Sequence, residues 1–73
     1  MNDVIGGNIA RLRKERNMTQ EQLANLMGIS YQAVSKWETG ISSPDVSSLP
    51  LLADTFGVMI DALFGRGEAE PRP

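Results

Sequence analysis

Apolar residues recur along this chain at helical spacing, and the polar residues between the blocks are of the kinds that start or stop helices. Ile5, Ile9 and Leu12 stand at i, i+4 and i+7, the stripe of an amphipathic helix. The spacing predicts a first helix over residues 4–16. Gly6 and Gly7 weaken its start, since glycine costs ~1 kcal/mol relative to alanine in a helix interior. Asn17 stands where this helix should stop, because asparagine tolerates the left-handed conformation of a C-terminal cap.

Two short helices follow, each with its own start signal. Thr19 is an N-cap, and Gln22, three residues on, is placed to complete a capping box. Met18 and Leu23 have the spacing of a hydrophobic staple. Leu23, Ala24 and Met27 supply the buried face, and Gly28 ends the helix. Ser30 caps the third helix by the same chemistry, and Ile29 and Val34 repeat the staple. Val34 and Trp37, three apart, turn inward. That spacing makes core packing the better reading of Trp37 than stacking on a base. Gly40 closes the helix.

Residues 41–48 read as a loop, marked by Ser42, Ser43, Pro44 and Asp45. Leu49, Leu52, Ala53 and Phe56 define a fourth helix with Pro50 in its first turn, where a missing N–H costs nothing. Gly57 ends it. Val58, Ile60, Leu63 and Phe64 suggest a short fifth helix. No strand-like alternation occurs, so the expected class is all-α, a compact bundle of five helices. Residues 1–64 form the expected domain, and residues 65–73, rich in Gly, Glu and Pro, form a flexible C-terminal tail.

Composition narrows the chemistry. With 73 residues the chain is one small domain. It contains neither cysteine nor histidine. Disulfides, thiolate metal sites and the usual general base near neutral pH are therefore absent. The carboxylates are dispersed, so no metal site, cofactor or enzyme activity is expected, and no small-molecule ligand is evident. No apolar run approaches the ~20 residues of a membrane span, and no basic-then-apolar segment opens the chain. A cytoplasmic location with no membrane partner is the expectation.

The formal net charge of -2 counts against a phosphate-rich partner. Its distribution counts the other way. Arg11, Arg13, Lys14 and Arg16 crowd the first helix, whereas Asp45, Asp54, Asp61, Glu68 and Glu70 lie in the second half.

Taken together, two short capped helices joined by a tight turn at Gly28, the second with an outward polar face, have the layout of a helix-turn-helix. The chain resembles the phage-repressor and Cro type of this domain, the lambda-repressor-like XRE family. The residues that carry the resemblance are Ile5-Gly6-x-Asn8-Ile9, Leu12-Arg13, Thr19-Gln20-x-x-Leu23-Ala24, Gly28-Ile29-Ser30, Val34-Ser35-x-Trp37-Glu38-x-Gly40, Pro44-Asp45, Leu52-Ala53 and Phe56-Gly57-Val58. Four positions depart from the family pattern: Gly7 replaces a helix former, Asn17 a glycine, Leu26 a frequent charge, and Met59 the small hydroxyl cap of the fifth helix.

The resemblance implies sequence-specific binding of double-stranded DNA by a transcriptional regulator, a repressor by preference, encoded by a bacterium or phage. The third helix would be the reader. Gln32 suits adenine, Lys36 suits guanine, and Tyr31 and Ser35 share their face. Backbone phosphates would be held by Arg16, Thr19, Gln20, Ser30, Thr39, Ser42 and Ser43. Thr19 and Gln20 draw on the N-terminal charge of the second helix. Ordinary capping, a solvated helix face and a plain polar loop are the competing readings of these same residues. Arg11 and Lys14 stay open between phosphate contact and solvated face. Arg13 and Glu38 match a family ion pair between the first and third helices. Leu26, Leu51, Met59 and Phe64 lack a clear core position and are open to a homodimer contact on a near-palindromic operator. The rival reading is a protein-binding module, an antitoxin or adaptor that keeps the fold.

Overall fold

A computed structural model describes residues 4–66. Five α-helices follow one another: α1 (Val4–Glu15), α2 (Gln20–Met27), α3 (Tyr31–Thr39), α4 (Leu49–Phe56) and α5 (Ile60–Leu63). Among the described residues there is no strand, and no helix is long and apolar enough to cross a membrane. The segment read as a plain loop contains one turn of 3-10 helix, Val46–Ser48, closed by a bond from the Leu49 N–H to the Val46 carbonyl. That turn leads directly into α4, with Pro50 in its first turn.

The stops share one device. Asn17, Gly28, Gly40, Gly57 and Gly65 all take positive φ just past a helix end. At each stop the next residue's N–H returns to a carbonyl five positions back, from Met18 to Arg13, Ile29 to Ala24, Ile41 to Lys36, Val58 to Ala53 and Arg66 to Asp61. These bonds satisfy carbonyls that a helix end leaves without partners. They also move one boundary. Gly65 and Arg66, assigned to the tail, are hydrogen-bonded back to Ala62 and Asp61 and complete the α5 cap. The rest of the expected tail, 67–73, lies outside the described residues, as do residues 1–3 of the expected domain.

Starts differ. Thr19 forms the full capping box, its hydroxyl accepting from the Gln22 N–H at 3.0 Å while its own N–H donates to Gln22 Oε1 at 2.8 Å. Met59 offers no side-chain cap, and α5 is only four residues long.

The core takes residues from every helix: Ile9 and Leu12 of α1, Leu23 and Ala24 of α2, Val34 and Trp37 of α3, Leu52, Ala53 and Phe56 of α4, and Leu63 of α5. Each of these is buried, and Ile5, on the expected stripe of α1, is half-buried against them. Met27 and Leu49, also expected inside, are half-buried against the same cluster.

α1 and the residue just past its end hold three of the other helices. Asn8 donates to the Leu63 carbonyl at 3.1 Å and so holds the end of α5. Arg16 donates from Nε to the Phe56 carbonyl at 2.8 Å and holds the end of α4. Gly6 lies against the last turn of α3.

Candidate nucleic-acid interface

Burial of Val34 and Trp37 fixes which way α3 faces. Tyr31, Gln32 and Lys36 are left exposed on the other side, with Ser35 half-buried beside them. These four stand at i, i+1, i+4 and i+5 and therefore share a face. Ser30 starts the helix, its Oγ accepting from the Ala33 N–H at 3.3 Å. The hydroxyl hydrogen is left available for an outside acceptor. Ala33, half-buried, adds no bulk to the polar face.

At the N-terminal end of α3 lies an open depression. Arg13, Lys14, Asn17, Met18, Thr19, Gln20, Glu21 and Tyr31 line it, so the end of α1, the start of α2 and the first residue of α3 converge there. The start of α2 borders this space, and the first N–H groups of a helix favour an anion. Thr19 Oγ accepts within the capping box and keeps its hydrogen for a further bond. Lys14 is exposed and, among the described residues, in no ion pair. It stands beside Thr19 and Gln20 at this depression. Glu21 opposes an anion at the same spot.

Beneath the depression three helices are tied by one carboxylate. Arg13 donates to Glu38 twice, Nε to Oε2 at 2.7 Å and Nη2 to Oε1 at 3.0 Å. Gln20 Nε2 donates to Oε1 at 3.0 Å. The remaining Arg13 nitrogen, Nη1, donates to the Met18 carbonyl at 2.8 Å and fixes the turn between α1 and α2. Only 11% of the Arg13 side chain and 8% of the Glu38 side chain remain exposed. Burial by itself would raise the Glu38 carboxyl. The bonds from Arg13 and Gln20, with the charges of Arg13 and Lys14, outweigh it and hold Glu38 below its ordinary value. Hydrogen bonding to Glu38 raises Arg13 in turn. Gln20, expected at a phosphate, thus has one amide hydrogen engaged internally and the other left over.

Not every expected residue gathers here. Arg16 turns away from α3. Besides Phe56, its Nη1 donates to the Leu12 carbonyl at 3.0 Å, and its guanidinium lies 5.6 Å from the centre of the Phe56 ring. Arg16, expected at a phosphate, thus braces the end of α4, because it continues the stripe of Ile9 and Leu12 just past the end of α1. Arg11 pairs with Asn8 and Glu15 on the α5 side. The Thr39 hydroxyl donates back to the Ser35 carbonyl at 3.0 Å, so it must rotate before it can meet a phosphate. Ser42 and Ser43 are exposed just past the C-terminal end of α3. Polar groups thus flank α3 at both ends. Its nine residues span about 13 Å at 1.5 Å each, close to the width of a DNA major groove.

Leu26, Leu51, Met59 and Phe64, the apolar residues without a core position, are exposed. Leu26 borders a depression with Arg16 and Met18, Met59 one with Pro50 and Ile60, and Phe64 one with Val4 and Ser43. Among the described residues no group of three potential ligands could hold a metal ion.

Known proteins are similar to this chain in sequence and fold. Residues 9–63 match the profile of the family described as Helix-turn-helix. The transcriptional activator BcrR of Enterococcus faecalis is 42% identical over 60 residues, which cover 82% of this chain and 29% of that protein. The cryptic phage CTXphi transcriptional repressor RstR of Vibrio cholerae is 40% identical over 58 residues, covering 80% of this chain and 52% of that one. The matched stretch therefore spans between 29% and 52% of these relatives. Among solved structures, the P22 c2 repressor bound to a synthetic operator superposes with a TM-score of 0.77 at 28% identity, covering 82% of this chain and 91% of that one. With its two capped helices, its shared core and its matched profile, this chain belongs to the helix-turn-helix family of phage-repressor type.

Proposed function

We propose that this chain is the DNA-reading domain of a transcriptional regulator, with α3 lying in the major groove of a double-stranded operator. The observation that carries the reading is the face of Tyr31, Gln32, Ser35 and Lys36, exposed on one side of a helix whose other side is locked into the core. Gln32 has the two-atom amide that matches adenine, and Lys36 donates to the acceptors of guanine. Tyr31 adds a hydroxyl and an apolar edge, and Ser35 lies close to the bases. Phosphates on one side of the groove meet Thr19, Lys14, Gln20 and Ser30. Those on the other meet Ser42 and Ser43, with Thr39 after rotation of its hydroxyl.

Repression is the preferred outcome, supported by similarity to two repressors, though an activator is also among the relatives. The protein acts as a homodimer on a near-palindromic site, in the cytoplasm. Few cations line the face, so each monomer binds modestly and with a shallow salt dependence.

Selection of bound sequences from a random duplex pool tests this. The expected product is a recurring motif, with a two-fold repeat about one helical turn apart if two copies bind. Gln32→Ala and Lys36→Ala should each relax one base position, at a cost of about 1–3 kcal/mol. Enrichment of no motif, together with no binding of any duplex at low salt, would favour the protein-binding module instead.

A further inference from the structure

Gly6 is buried in the first turn of α1, where a glycine is otherwise a liability. A Cβ built on it would collide with the Trp37 carbonyl oxygen and come within 3.1 Å of the Trp37 carbonyl carbon and 3.4 Å of that of Glu38. All three are backbone atoms in the last turn of α3, so no side-chain rotation relieves the clash. Gly7, its neighbour, has nothing within 4 Å of the same added atom. The two glycines are chemically alike, yet only the first is demanded by a neighbour.

The carbonyl that Gly6 faces is not an isolated one. Trp37 O accepts the Gly40 N–H at 3.2 Å, and the adjacent Lys36 O accepts the N–H groups of Ile41 and Ser42 at 2.9 and 3.2 Å. Displacing this turn would move the α3 cap and the segment through Ser43 with it. The other α1–α3 tie, between Arg13 and Glu38, lies two turns further along α1. Both ties meet the same last turn of α3, at Trp37 and Glu38, and so fix where that turn seats along α1: one is an ion pair and the other a missing methyl group.

We infer that Gly6 is a positioning residue for DNA reading: its bare Cα lets the last turn of α3 seat directly on α1, and thereby sets the register between the base-reading face and the loop at Ser42 and Ser43. The inference rests on the reading of α3 as a groove-binding helix. Gly6 touches no DNA itself. Its substitution should therefore impair specific binding more than non-specific binding, because charge-driven phosphate contact tolerates a misaligned helix and base contact does not.

The experiment compares the whole chain carrying Gly6→Ala with the unaltered protein, each with and without Gly7→Ala to offset lost stability. Leu52→Val in α4 serves as a destabilised control. Affinities for the selected operator and for a random duplex are measured well below each unfolding transition. Gly6→Ala should cost specific binding about tenfold or more, the scale of one lost base-pair readout, while non-specific binding stays within about twofold. Amide shifts from Trp37 to Ser43 should move with it, and the control should show neither effect. In the unaltered protein a Gly6 Hα should show a proton contact with the last turn of α3. The inference is overturned if Gly6→Ala binds the operator normally, if specific and non-specific binding fall together, if the proton contact is missing, or if the variant fails to fold even with Gly7→Ala. A wild-type chain that selects no duplex at all would instead overturn the DNA reading on which the inference stands.

Discussion

Arg13 grips both oxygens of Glu38, at 2.7 and 3.0 Å, across 25 positions of sequence, and so joins α1 to the last full turn of α3. The pair is almost enclosed, and Gln20 brings α2 to the same carboxylate. A largely enclosed pair of this kind is costly to break from one side, because the survivor stays charged without its counter-ion. Replacing Arg13 with Met should therefore destabilise the fold by about 3 kcal/mol. Glu38→Gln keeps the shape and should cost less. The double variant should be milder than the sum of the singles, as contacting residues are not additive. Urea unfolding of all four proteins measures the coupling, and strict additivity would show that the two residues act apart.

The same pair makes stability depend on acid. Glu38 titrates below its ordinary value of 4.5 in the folded chain, and unfolding releases it to that value. A lowered carboxyl contributes stability that is full above the unfolded value and lost as pH falls through the folded one. Arg13 is shifted upward and stays charged throughout, so the acid response belongs to Glu38. The unaltered protein should thus lose Tm faster than Glu38→Gln on titration below about pH 4.5, the two curves converging at the acid end. Parallel curves would mean that Glu38 carries no linkage.

Gly6 and Gly7 stand side by side and should respond in opposite directions. Gly7 is exposed in open space at helical φ, so Gly7→Ala gains helix propensity and should stabilise by about 0.5–1 kcal/mol. Gly6→Ala gains the same propensity but forces a methyl group into the backbone of α3, an overpacking worth about 1–3 kcal/mol in the other direction. Thermal unfolding of the two single variants gives the signs directly. Equal signs would contradict the close approach of α1 and α3.

The contrast marks how far the sequence could be read. Helix positions, caps and the core rows are local or periodic signals, and Thr19, Gly28, Ser30, Val34 and Trp37 display them openly. The value of Gly6 depends on a backbone 31 positions away, which no local pattern encodes; read locally, it is only a weak helix residue. The 3-10 turn at Val46–Ser48 was hidden among residues that also suit an irregular loop. Arg16 was legible in principle. It continues the row of Ile5, Ile9 and Leu12 by one more step of four, which points it inward, yet its charge suggested a surface role. Lys14, off that row, is the cation that the fold delivers to the start of α2.

Arg16 and Lys14 therefore offer a clean exchange of roles. Arg16 binds the Leu12 and Phe56 carbonyls and covers the Phe56 ring, with 30% of its side chain exposed. Arg16→Met keeps the stem but leaves those carbonyls without a partner, and should destabilise by about 1–2 kcal/mol. Well below its unfolding transition, its DNA affinity should fall along a salt line parallel to that of the unaltered protein, or not at all. Lys14→Ala should do the reverse. It removes no internal bond and should leave Tm nearly unchanged. It should flatten the slope of log affinity against log salt by about 0.9, the share of one phosphate contact. Titrations at several salt concentrations with both variants separate the two residues. A flattened slope for Arg16→Met with normal stability would return Arg16 to the phosphates and take Lys14 away from them.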